Sequence, residues 1–135
     1  MPMITLQIAS QPDARLAREA ARLITDKVAG ILKKDPKVTA VAVEFVPPKH
    51  WFIAGRSAEE IGKAAFFLDV RISDGTNNKD EKARFVAVAF EVLDRLLGGV
   101  DPESYVHVDD VRADAYGYGG LTQERRYVQS RPVAA

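Results

Sequence analysis

The stretch Pro2-Met3-Ile4-Thr5-Leu6-Gln7-Ile8-Ala9 decides the fold, because its alternation returns in Phe66-Phe67-Leu68-Asp69-Val70-Arg71-Ile72-Ser73. A period of two predicts a strand with one buried face. Behind each copy stands a helical pattern and then a second strand. Pro12-Asp13 opens a helix running through Leu32, with Leu16, Ala20, Leu23, Ile24, Val28, Ile31 and Leu32 on one stripe. Lys33-Lys34-Asp35-Pro36 stops it, and Val38 to Val46 reads as the second strand. In the second copy Asp74-Gly75-Thr76-Asn77-Asn78 makes the turn and cap. A helix from Glu81 to Leu97 follows, with Phe85, Val88, Ala89, Val92, Leu93 and Leu96 inward, and Gly98-Gly99 ends it. Tyr105 to Val111 is the fourth strand.

A shift of about 64 to 66 residues superposes the halves, placing Pro2 on Phe66, Val41 on Val106, Phe52 on Tyr116 and Gly55 on Gly119. The expected fold class is α/β (α+β): two tandem β-α-β units forming a four-stranded sheet with both helices on one face. The chain reads as one domain, 1–135, with the repeat at about 2–55 and 65–120. A tail, 121–135, is expected either to lie over a neighbouring subunit or to fray. One strand parity is apolar (Ile4, Leu6, Ile8; Leu68, Val70, Ile72; Val41, Val43; Val106, Val108) and should meet the helices. The other mixes Met3, Thr5, Gln7, Phe67, Asp69, Arg71, Ala42, Glu44, Tyr105, His107 and Asp109. Assembly through that face is the simplest account of its apolar members.

Lys plus Arg and Asp plus Glu both number 19, so no global field draws this chain to nucleic acid or a membrane. With no cysteine there is no disulfide, thiolate metal site or cysteine nucleophile. No apolar run reaches membrane-spanning length and no signal pattern opens the chain, so the cytoplasm is the expected compartment.

Chemistry enters at Pro2. Removal of Met1 turns its nitrogen into a terminal secondary amine, which burial or a nearby cation makes a competent base near neutrality. Placed at a strand end, such a group is either catalytic or a harmless frayed terminus. The doubled unit, Pro2 after the initiator, and the glycine-rich Tyr116-Gly117-Tyr118-Gly119-Gly120 resemble the tautomerase superfamily, whose members include 4-oxalocrotonate tautomerase and macrophage migration inhibitory factor. The resemblance covers residues 2 to about 120. It implies a homotrimer and a cofactor-free, metal-free tautomerase or isomerase in which Pro2 is the general base on a small keto/enol acid. A hydratase or dehalogenase on a short unsaturated acid, or a non-catalytic trimeric binding protein, would use the same scaffold.

The chain departs from that family in its anion clamp. The turns Ser10-Gln11-Pro12-Asp13 and Asp74-Gly75-Thr76-Asn77 hold no arginine, and the family's second-strand arginine falls on Ala42 and His107. The candidates for substrate binding are Asp69, Arg71, Tyr105, His107, Phe52 and Tyr116, with Trp51 and Tyr118 as further walls. Asp69 would tune Pro2 while Arg71 or His107 holds an oxyanion; equally, Asp69 and Arg71 would form an inter-subunit ion pair. His50 and Arg112 are secondary candidates, and Asn77 and Asn78 read as helix caps rather than ligands.

Overall fold

The computed structural model describes residues 1–131; Pro132 to Ala135, the last part of the expected tail, lie outside the described residues. Strand β1 (Met3–Ala9) leads through a turn into α1 (Ala14–Ile31), and β2 (Ala40–Val46) follows. Asp13 caps α1, its carboxylate accepting from the Arg15 and Leu16 amides at 2.9 and 3.2 Å. Lys33, at φ 61°, turns the chain out of the helix. Val38 lies not in β2 but in a 3-10 turn, Pro36–Val38, because Pro36 at its start suits a tight turn and Asp35 caps it. A small hairpin, β3 (Phe52–Ile53) and β4 (Arg56–Ser57), and the one-turn helix α2 (Ala58–Ile61) end the first unit.

The second unit repeats this order with β5 (Phe66–Ser73), α3 (Lys79–Leu96), β6 (Tyr105–Val111), the hairpin β7 (Gly117–Tyr118) and β8 (Leu121–Thr122), and α4 (Gln123–Ser130). The beginning of the tail is therefore hairpin and helix rather than frayed chain. Asn78 caps α3 in a reciprocal box with Glu81, and the Asn77 side chain donates to the Leu32 carbonyl at 2.9 Å, tying the start of α3 to the end of α1.

The four long strands form one sheet in the order β2-β1-β5-β6, parallel within each unit and antiparallel where β1 meets β5. Both long helices pack on one face. Ile4, Leu6, Ile8, Phe66, Leu68, Val70 and Ile72 are fully buried against Ile24, Val28, Phe85, Ala89 and Leu93, so the apolar parity is the core parity. Burial of each large side chain contributes roughly 1.5–3 kcal/mol. The opposite face exposes Met3, Phe67 and Tyr105, the apolar surface expected of a sheet that assembles.

The two units are related by a shift that changes along the chain. In the sheet Met3 pairs with Ala40 and Phe67 with Tyr105, so Met3 corresponds to Phe67 and Pro2 to Phe66. The turn before α3 is one residue longer than the turn before α1, and from there on each element lies one residue further along. Trp51, not Phe52, is thus the counterpart of Tyr116: the Ala58 amide donates to the Trp51 carbonyl at 2.8 Å, and the Gln123 amide donates to the Tyr116 carbonyl at 2.8 Å. Gly55 correspondingly matches Gly120, and Ala54 (φ 51°) matches Gly119 (φ 60°).

Candidate active site

Because β1 and β5 run antiparallel side by side, each unit's closing hairpin reaches the beginning of the other unit's first strand. The second hairpin meets Pro2; the first meets Phe67. Two cavities result.

Pro2 is buried immediately ahead of β1, where its carbonyl accepts from the Ala40 amide at 3.2 Å. Around it lies a cavity of about 530 Å³ lined by Met1, Pro2, Met3, Lys37, Val38, Thr39, Ala40, Arg71, Tyr116, Gly117 and Tyr118. The position that would be a base is thus walled rather than frayed. The Met1 amine is itself pushed below its ordinary pKa of 8.0, first by burial and then by the Lys34 ammonium, with Asp35 opposing. The Pro2 nitrogen lies one residue further in. Tyr116 closes the cavity: its hydroxyl accepts from the Met3 amide at 2.8 Å and donates to the Met1 carbonyl at 2.5 Å, with the Arg71 carbonyl at 3.3 Å as a second acceptor. Burial raises the pKa of this phenol above its ordinary value, opposed by the Met3 amide and Arg71. Arg126 lies over the Tyr118 ring at 3.8 Å and donates to the Tyr118 carbonyl at 2.8 Å, which braces the hairpin.

Within the chain the structure separates Phe52, Tyr105, His107 and Asp69 from Pro2. Phe52, Tyr105 and His107 line a second cavity, of about 690 Å³, with Gln7, His50, Trp51, Phe67 and Val106. Here Trp51 stands where Tyr116 stands in the first, and Phe66, the counterpart of Pro2, is a buried mid-chain residue; among the described residues no chain end and no amine lines this cavity. Asp69 lines neither cavity. It sits opposite Thr5 on β1 and His107 on β6, with the His107 Nδ1 at 3.2 Å from its Oδ1, an approach without hydrogen-bond alignment. Arg71 borders the Pro2 cavity, and its Nε lies between Asp69 and Asp109, at 3.8 and 4.0 Å, in loose, half-exposed ion pairs. Asp69, His107 and Asp109 bring donor atoms within 4.8 Å of one another, a set a cation could use, with the Arg71 guanidinium competing for two of the three. Arg112 pairs with Asp114 at 2.8 Å and lines neither cavity.

Lys37 escaped the sequence reading. It borders the Pro2 cavity because β1 and β2 are parallel and in register from Met3 and Ala40, so residues just ahead of β2 lie beside the residue just ahead of β1. Reading Val38 as strand hid this. The signal was present in Asp35-Pro36, a turn opener.

No family model matches the chain, and no curated protein matches its sequence. Among the described residues no helix is long and apolar enough to cross a membrane. Solved structures do match in shape. Native fused 4-OT superposes with a TM-score of 0.76 at 17% identity, covering 91% of this chain and 97% of that one. Pt0534 inactivated by 2-oxo-3-pentynoate gives 0.79 at 15%, covering 91% and 98%. A macrophage migration inhibitory factor homologue from Prochlorococcus marinus gives 0.72 at 19%, covering 89% and 97%. At these identities the likeness is one of architecture: the chain has a tandem β-α-β fold shared with the fused 4-OT structures and the macrophage migration inhibitory factor homologue.

Proposed function

We propose that this protein, once Met1 is removed, is a cofactor-free tautomerase or isomerase of the cytoplasm, acting as a homotrimer on a small keto/enol acid with Pro2 as general base. One observation carries the reading: Pro2 is buried at the head of a central strand and opens onto a walled cavity. A terminal amine there loses hydration, which disfavours its charged form. The free base then takes a proton from the carbon beside a carbonyl, or from an enol hydroxyl, and returns it to another atom of the same substrate. Lys37 and Arg71 at the cavity wall favour an acidic substrate. The apolar residues on the open sheet face support assembly, and fused 4-OT relatives of this shape are described as trimers.

The experiment is spectrophotometric. Protein whose mass shows loss of Met1 is assayed for ketonisation of phenylpyruvate enol and of 2-hydroxymuconate, beside Pro2→Ala and beside protein that retains Met1. Turnover confined to the processed parent supports the reading; equal turnover by Met1-bearing protein, whose Pro2 nitrogen is an amide, refutes it. An acid limb of the pH profile is expected below the ordinary value of a terminal secondary amine, because burial at Pro2 disfavours the charged form. Activity rises with pH through that limb because the base must lose its proton.

A second reading, a binding protein without turnover, draws on the pairing of Arg71 with two carboxylates and the turns without arginine. Binding of either acid without conversion would favour it.

A further inference from the structure

In the Met1-bearing chain a carbonyl oxygen occupies the cavity beside the Pro2 nitrogen, held by one phenol. The Met1 oxygen is bonded through a single carbon to that nitrogen and accepts from the Tyr116 hydroxyl at 2.5 Å. Peptide geometry places the oxygen about 2.25 Å from the nitrogen, so phenol and nitrogen are separated by no more than about 4.8 Å. That span suits a C–C=O unit, with the carbon facing the nitrogen and the oxygen facing the phenol. The phenol is also fixed in aim. The Met3 amide donates to its oxygen at 2.8 Å, so the proton must point elsewhere, and it points at the Met1 carbonyl.

We propose that Tyr116 is the oxyanion-binding catalytic residue paired with Pro2: after Met1 leaves, its O–H donates to the keto or enol oxygen of an α-keto acid whose adjacent carbon faces the Pro2 nitrogen. Met1, while attached, fills that place. The inference rests on the Pro2 reading and adds the group that holds the charge. Pro2 takes the proton from the carbon, the C–H pair becomes the C=C bond, and the carbonyl pair moves onto oxygen. Tyr116 holds that charge and keeps its own proton. The prolinium then delivers the proton to another atom of the substrate, so nothing is gained or lost overall. Burial keeps the phenol protonated, and therefore a donor, through neutral pH. The Arg71 carbonyl, at 3.3 Å, is the acceptor to which the hydroxyl turns when the cavity holds no oxygen. The counterpart cavity has Trp51 at this place and no terminal amine, so the paired donor and base occur in one unit.

The test uses processed full-length protein and phenylpyruvate enol. Tyr116→Phe is expected to lower kcat by about 100-fold or more with KM changed little, the cost of losing one oxyanion donor. Its Pro2 amine, titrated by the pH dependence of arylation with fluorodinitrobenzene, should remain reactive. Site-specific fluorotyrosine at 116 is the second variant, in case Tyr116→Phe disturbs the hairpin. A more acidic phenol should move the alkaline limb of kcat to lower pH, which a purely structural role would not do. Tyr116→Phe turning over within threefold of the parent while Pro2→Ala is inactive overturns the Tyr116 assignment alone. An unmoved alkaline limb in the fluorotyrosine protein does the same. Full activity of Pro2→Ala, or no turnover by the parent, overturns the base reading and the pairing with it.

Discussion

Gly117→Ala should damage this protein out of proportion to the methyl it adds. A Cβ at Gly117 would lie 1.9 Å from the Leu121 carbonyl oxygen and 2.7 Å from both the Leu121 carbonyl carbon and the Thr122 Cα. All three are backbone atoms, so no side chain can swing aside, and an ordinary C···O contact is about 3.3 Å or more. The strands β7 and β8 must therefore part by more than an ångström. They are joined only through the pairs Gly117–Thr122 and Tyr118–Leu121. Opening them forfeits on the order of two backbone hydrogen bonds, about 1–3 kcal/mol, which matches the usual range for overpacking. For a domain of this size that is a fall in Tm of about 4–12 °C. The assay is thermal melting by circular dichroism at one fixed protomer concentration, because assembly makes Tm concentration-dependent. Turnover should fall with it, since Tyr116 precedes the displaced residue. A variant melting within about 1 °C of the parent, with unchanged turnover, would refute the claim that this hairpin is held shut by the absence of a side chain at 117.

Other outcomes follow from single features. Gly30→Ala, at an exposed site in α1 where a Cβ meets nothing within 4 Å, should stabilise the protein by roughly 0.5–1 kcal/mol, read as a rise in Tm. Asn78→Ala removes the side-chain acceptor for the Glu81 amide at 2.8 Å and should cost about 1 kcal/mol in urea unfolding. The Glu81 carboxyl is held below its ordinary 4.5, first by its bond from the Asn78 amide. Its contribution is complete above that value and fades as pH falls through the lower folded pKa, so Glu81→Gln should flatten the acid unfolding curve. Lys34→Gln removes a cation that lowers the pKa of the Met1 amine; in processed protein the acid limb of activity should move to higher pH, and no movement would separate Lys34 from the Pro2 environment.

The strands and helices were legible because period and punctuation are local. Ile4, Leu6 and Ile8, and their counterparts Leu68, Val70 and Ile72, are buried as their alternation demands. β6 spans Tyr105–Val111 as read. The beginning of the tail was less legible, since Gln123 to Ser130 lacks a buried stripe and its helix is set by the Thr122 cap on the Arg125 amide at 3.0 Å. The site was legible only at its centre. Pro2 announced itself through covalent chemistry, whereas Lys37 depended on the register of two parallel strands.

Sequence by itself determined the doubled unit, the apolar parity of the sheet and the potential amine at position 2, because each follows from spacing or from bonds along the chain. Tertiary structure decided which aromatic meets Pro2. The extra residue in the turn before α3 is absorbed there, leaving Trp51 and Tyr116 in equivalent places, and the antiparallel junction of β1 with β5 carries each hairpin to the other unit's first strand. Tyr116 therefore faces Pro2, while Phe52, Tyr105 and His107 gather around the other cavity. Contacts between residues more than a hundred positions apart are settled by strand pairing in space, and no local pattern encodes them.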